Sequence, residues 1–298
     1  MSNVLKINKL TKKFGKLTAV DQLELTIEKG QVYGILGPNG SGKTTTLGMI
    51  LEVVAPTSGS FEWFGGMNNV AARQKIGSIL ETPCFYSYLT ATQNLRIVAH
   101  IKKSDPNRID EILKQVNLYE RRHDKFKTYS LGMKQRLSLA AALIADPPIL
   151  MLDEPTNGLD PEGIAEVRGL IREIAADGKT IIMASHLLDE VQKVCTHFCI
   201  LRKGVKLHEG SVNEILGETN VVEVAVDDLS ELQSTLASFQ GAENIEAEKE
   251  HLKVYLRDNY TSDQLNEFCF RKGVSLKKLV PQSKSLEQEF LKILKEND

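Results

Sequence analysis

The sequence is poor in several things, and each shortage closes off a class of protein. Only four cysteines stand in 298 residues, at positions 84, 195, 199 and 269, and none of them has the paired spacing of a zinc site. A chain of this length buries enough core to hold without disulfides, so free thiols in a reducing cytoplasm are expected. A dominant charge is also missing: 37 Lys and Arg against 39 Asp and Glu leave a formal net charge of -2. With no basic stripe, that balance argues against nucleic acid as a partner and against a general attraction to anionic lipid. Long apolar runs are lacking too. The longest, around Leu137 to Leu152, is cut by Asp146, Pro147 and Pro148, and Met1 to Lys13 has no apolar centre of a signal peptide. No segment is expected to span a bilayer, so any membrane contact has to come through another chain.

What is present begins with Gly37 to Thr44, which reads Gly-Pro-Asn-Gly-Ser-Gly-Lys-Thr. An apolar strand pattern, Gln31 to Leu36, precedes it, and a helical pattern, Thr45 to Val54, follows. Glycines at a strand-to-helix turn let the main chain approach an anion and aim several N–H groups at it, while the helix adds its positive end. Gly37, Pro38, Asn39, Gly40, Ser41, Gly42, Lys43, Thr44 and Thr45 are therefore candidate nucleotide-binding residues. Lys43 would neutralise the outer phosphates, and the Thr44 hydroxyl would ligate magnesium.

Around that loop the pattern alternates between strand and helix. Val4 to Lys9 and Gln22 to Glu28 read as half-buried antiparallel strands. Between them Phe14 can stack on a base, although composition alone suits a core residue as well. Short strands at Gly59 to Phe64 and Ile76 to Glu81 lead into helices at Thr90 to Ile101, Pro106 to Asn117 and Ser130 to Ala145. This predicts a helical subdomain over about 83–146. Strands at Ile149 to Asp153 and Thr180 to Ala184 then alternate with helices from Pro161 and Leu187, and a hairpin turns at Lys203 and Gly204. Such alternation predicts an α/β domain over 1–217 whose core sheet is mainly parallel, with the ligand at the carboxyl ends of its strands. Residues 218–298 read as β-α-β-β-α-β plus a last helix, an α+β accessory domain that ferredoxin-like topology satisfies.

Chemistry concentrates at Asp153 and Glu154, two carboxylates closing the apolar run Ile149 to Leu152. A continuous apolar strand is buried on both faces, and its carboxyl end opens at the ligand edge. Asp153 there suits magnesium held through its water shell, and Glu154 suits a base that takes a proton from water.

The stretch Tyr129 to Arg136, Tyr-Ser-Leu-Gly-Met-Lys-Gln-Arg, resembles the signature motif of the nucleotide-binding subunits of ATP-binding-cassette transporters. The resemblance runs from about Val4 to Gly217. It implies a phosphate-loop ATPase of that type, with ATP and Mg2+ as cofactors, working as a head-to-tail dimer with a second ATP-binding subunit and an integral membrane permease. The place implied is peripheral, at the cytoplasmic face of the membrane. In such a dimer Ser130, Gly132 and Met133 face the ATP held by the opposite subunit. Asn157 to Asp160 matches the loop that crosses the interface, His186 the switch histidine at the terminal phosphate, and Phe14 the adenine-stacking aromatic. There are two departures. Glu81 stands where the family usually has a metal-contacting glutamine, adding negative charge near the phosphates, and Leu131 replaces a glycine of the signature. Both, with Thr82 and Pro83, resemble the subgroup that exports peptide antibiotics, the bacitracin and lantibiotic resistance or immunity transporters. Competing readings are export of a drug or lipid, a soluble cassette acting on ribosomes or DNA, and a small-molecule kinase. The last leaves the signature and His186 unexplained.

Overall fold

The computed structural model describes residues 2–67, 69–80, 84–215, 218–257, 259–283 and 286–296. They separate into two compact units, one holding 1–212 and 293–298, the other 213–292.

In the first unit β1 (Asn3–Phe14) and β2 (Leu17–Glu28) form an antiparallel hairpin. β3 (Val32–Leu36), α1 (Lys43–Ile50), β4 (Ser58–Trp63), α2 (Asn69–Gln74) and β5 (Ile76–Ile79) follow. β4 lies on the far side of β1, so the first sheet has the order β2-β1-β4. Trp63 ends β4 fully buried, and its Nε1–H donates to the Ile50 carbonyl at 3.0 Å, fastening this sheet to the end of α1. A buried indole needs such an acceptor.

Next come α3 (Ala91–Lys102), α4 (Ile109–Gln115) and α5 (Leu131–Leu143). Thr90 starts α3 with a capping box, in which its hydroxyl accepts from Gln93 N–H and the Gln93 side chain accepts from Thr90 N–H. The buried Asn94 knits the loop before it, accepting from Tyr86 N–H at 2.9 Å and donating to the Thr90 carbonyl at 3.0 Å. The last turns of α5 lie against β5, where a Cβ at Gly77 would fall 2.2 Å from the Ala142 carbonyl oxygen. Only glycine permits that approach.

The chain then returns to the core sheet through β6 (Ile149–Asp153), α6 (Pro161–Ala176), β7 (Thr180–Ser185), α7 (Leu188–Val194), β8 (His197–Arg202) and β9 (Val205–Ser211), ending in α8 (Val212–Ile215). The six-stranded sheet runs β5-β6-β7-β3-β8-β9, parallel except for the edge strand β9. Every residue of β3, β6 and β7 is buried. This explains why their sequences are unbroken apolar runs rather than alternating ones.

The second unit contains β10 (Glu218–Ala225), α9 (Leu229–Leu236), β11 (Ala242–Ala247), β12 (Leu252–Leu256), α10 (Ser262–Arg271) and β13 (Lys278–Ser283), followed by α11 (Leu286–Glu296). Its antiparallel sheet has the order β11-β12-β10-β13, and Val222, Val224, Leu252 and Val254 pack with Leu232, Leu236 and Leu265 in a separate core. The element order β-α-β-β-α-β is that of ferredoxin-like domains.

Several local expectations differ from the structure: β1 and β2 extend beyond Val4 to Lys9 and Gln22 to Glu28, so Phe14 ends β1 instead of lying between two strands. The loop helix covers Lys43–Ile50 rather than Thr45 to Val54. The six-residue α2 had no clear periodicity to announce it. The last strand lies at Lys278–Ser283 instead of Ser275 to Leu279, because Pro281, which reads as a strand breaker, sits opposite Val222 on an edge strand, where its missing N–H costs nothing. Among the described residues no helix is long and apolar enough to cross a membrane.

Candidate active site

Parallel pairing brings the chemistry to one edge. Leu36 of β3 pairs with Ser185 of β7, and Asp153 of β6 pairs with Ala184. The carboxyl ends of three neighbouring strands therefore deliver the glycine loop, Glu154 and His186 to one place.

The loop closes tightly onto the start of α1. Gly42 caps that helix at φ 106, and a Cβ there would fall 2.5 Å from the Ala19 carbonyl oxygen, so any side chain would be both strained and obstructed. Lys43 is 5% exposed and donates from Nζ to the Gly37 carbonyl at 2.8 Å and to the Pro38 carbonyl at 3.3 Å. The same Nζ lies 3.3 Å from Glu154 Oε1.

Glu154 sits in the left-handed region at φ 48, and its N–H donates to the Ala184 carbonyl at 3.0 Å, which prolongs the β6-β7 pairing by one residue. Its second oxygen, Oε2, is 2.8 Å from His186 Nδ1 and accepts a longer bond from His186 N–H at 3.4 Å. One carboxylate thus joins the loop lysine to the histidine after β7.

Phe14, Asn39, Gly40, Gly42, Lys43, Thr44, Thr45 and Glu154 line one open cavity of about 560 Å³. Phe14 is half exposed, and Lys12 Nζ stands 4.8 Å from its ring centroid. Ser41 in the loop is buried, and its Oγ has no hydrogen-bond partner among the described residues. A buried hydroxyl left so is a costly feature that an anion's oxygen would satisfy. The Thr44 hydroxyl, in a residue lining the cavity, and the buried Asp153 carboxylate at the end of β6 offer oxygens, as a hard cation such as magnesium requires. No cluster of three or more metal-binding acids, histidines or cysteines occurs among the described residues. Magnesium is usually held by one or two protein oxygens plus substrate phosphates, so the residues present fit it. Glu81, the remaining expected metal contact, lies outside the described residues.

Ser130, Gly132 and Asp160 line a different cavity, of about 330 Å³. Ser130 caps α5 by accepting from Met133 N–H at 3.2 Å, and Asp160 caps α6 by accepting from Gly163 N–H at 2.9 Å. Leu131, 47% exposed, reaches toward Gly158, its Cδ2 lying 3.3 Å from where a Cβ of that glycine would be.

Some contributors had no signature of their own. Leu17, Thr18, Ala19 and Lys203 also line the first cavity; only the glycine after Lys203, marking a turn, was there to be read. The buried thiols play no part in either site. Burial pushes Cys195 well above the usual thiol range and Cys199 up to about 12.

Residues 20–157 match the family described as ABC transporter. The chain is also 36% identical over 303 residues to the bacitracin transport ATP-binding protein BcrA of Bacillus licheniformis, covering 99% of this chain and 98% of that one. The chain belongs to the ABC transporter family. As an ATP-binding cassette of that family it is an ATPase. The lantibiotic transport ATP-binding protein SrtF of Streptococcus pyogenes is 39% identical over 214 residues, 70% of this chain and 93% of that protein. Among solved structures, a dimeric post-hydrolysis state of an ATP-binding cassette bound to ADP and Pi matches with a TM-score of 0.62 at 27% identity, covering 70% of this chain and 98% of that one.

Proposed function

We propose that this chain is the ATP-hydrolysing subunit of an exporter for peptide antibiotics of the bacitracin or lantibiotic kind, paired head to tail with a second ATP-binding subunit, most simply another copy of itself. The observation that carries the catalytic part is the Glu154 carboxylate, held between Lys43 and His186 at the mouth of the glycine loop. When ATP enters, its terminal phosphate takes over the Lys43 ammonium, and Glu154 turns to the attacking water. As the water oxygen bonds to the γ-phosphorus and the bond to ADP breaks, Glu154 accepts the proton. Lys43, His186 and the loop amides stabilise the charge that builds up. Thr44 and Asp153, with Glu81, are the residues that would hold magnesium, which when bound supplies further neutralisation of the phosphates.

Two cavities rather than one support the head-to-tail pairing. Ser130, Leu131, Gly132 and Asp160 line a cavity apart from the loop, so within one chain they would serve a different nucleotide from the one that Lys43 holds. The helices of about 83–146 would pass closure of the pair to a membrane permease, on whose cytoplasmic side the subunit would sit. The antibiotic cargo is supported by relatives named for bacitracin and lantibiotic transport. Replacing Glu154 by Gln tests the mechanism: ATP still binds, while hydrolysis falls about a thousandfold. Near-normal turnover would remove Glu154 as the base. For the cargo, a strain lacking this chain should become more sensitive to bacitracin or a lantibiotic; unchanged sensitivity to both would redirect the reading to drug or lipid export.

A further inference from the structure

The first cavity holds one cation that this chemistry leaves unused. Lys203 lines it together with Phe14, Asn39, Gly40 and Lys43. Lys203 and Gly204 are the central residues of the β8-β9 turn, with φ 49 and 82, both positive as in a type I′ turn. Gly204 N–H donates to the Ser41 carbonyl at 3.0 Å, and its own carbonyl accepts from Asp21 N–H at 2.8 Å. The tip of the hairpin is thereby stitched to the glycine loop on one side and to β2 on the other. A Cβ at Gly204 would lie 2.8 Å from the Ala19 carbonyl oxygen, which shows how closely the tip approaches.

Asn is the residue that suits the first central position of such a turn, and a lysine held there is strained. Strain of this kind at the wall of a binding cavity points to the side chain as its reason. Charge points the same way. Lys43 is engaged with two loop carbonyls and Glu154, whose other oxygen faces His186. For Lys203 no hydrogen bond or ion pair is found among the described residues. Its ammonium is a compact charge on a flexible stem, able to reach from the rim to an anion in the cavity.

We infer that Lys203 binds the phosphate chain of the nucleotide in its own subunit, as a second cation alongside Lys43. It is a binding residue, with no part in proton transfer, and its role rests on the reading of this cavity as the nucleotide site.

Calorimetric titration of ATP, ADP and adenosine into the wild-type chain and the Lys203→Asn and Lys203→Arg variants tests it. Asn fits the turn at least as well as Lys, so Lys203→Asn removes the charge and keeps the fold, with a melting temperature no lower than wild type. The expected result is a Kd for ATP and ADP raised about fivefold to tenfold by Lys203→Asn, since the contact is charge-assisted but exposed to solvent. Adenosine affinity stays within twofold, and Lys203→Arg stays within twofold of wild type for all three ligands. ATP affinity unchanged in Lys203→Asn would overturn the inference, and so would equal weakening of ATP and adenosine, which would place the contact on base or ribose. Failure of the wild-type chain to bind ATP would instead overturn the reading of the cavity, and the role of Lys203 with it.

Discussion

Glu154 meets three demands at once: a left-handed backbone, a main-chain bond to Ala184, and a carboxylate divided between Lys43 and His186. Because the backbone is tied to the sheet, the side chain can change partners without moving the strand. His186→Ala should therefore leave ATP affinity within a few fold and lower hydrolysis by about a hundredfold or more, since it removes one of the groups around the attacked phosphate; steady-state turnover with ATP-binding titration checks this. Lys43→Ala acts earlier, on binding itself, because it deletes the buried cation under the loop. The loop and the carboxylate pair were legible because each combines particular residue types with a strand end, whereas His186, a lone histidine after a strand, followed only from the resemblance. Lys203 was not legible, because a Lys-Gly turn is ordinary in sequence, and only the folded hairpin carries it to the loop. The separation of Ser130 and Asp160 from the loop belongs to the same class. It followed from resemblance, while the two cavities themselves exist only in three dimensions.

Elements make the site rigid through a few buried polar contacts. Trp63→Phe should cost about 1–3 kcal/mol, because it leaves the Ile50 carbonyl without its donor as well as opening space. Chemical denaturation measures that loss, and an unchanged midpoint would show that the indole N–H contributes nothing. Where α5 runs into β6, Asp146 accepts a hydrogen bond from Lys179 Nζ at 2.6 Å, with Arg108 Nη2 at 3.8 Å. The bond from Lys179 holds the Asp146 carboxyl below its ordinary value of 3.8, helped by the charges of Lys179 and Arg108 and opposed by burial. A depressed carboxylate stabilises the fold above its unfolded pKa and loses that effect as pH falls through the folded one. Since Asp146 is largely exposed, Asp146→Asn should cost less than about 1 kcal/mol at neutral pH. In urea titrations the gap to wild type should close as the pH drops below 3.8. Periodicity revealed α3 and α6, whose caps and apolar faces are long enough to read. It missed α2, which is too short for a period, and it displaced β13, where a proline sits on an edge.

For the whole molecule, the two separate apolar cores argue that the cassette and the α+β unit are each held by their own packing. A variant with the second core loosened, Val254→Ala, should lose stability by about 1–3 kcal/mol in that unit while ATP affinity stays within twofold. A matching fall in ATP affinity would show that the cassette depends on the second unit. The central claim concerns assembly: each complete catalytic site takes its glycine loop from one chain and its signature from another. Sedimentation velocity of Glu154→Gln with and without ATP tests it most directly, alongside wild-type turnover measured over a range of protein concentration. The account predicts a monomer without nucleotide, a dimer with ATP, and turnover per chain that rises with concentration. A species that stays monomeric with ATP bound, with full turnover per chain independent of concentration, would contradict it.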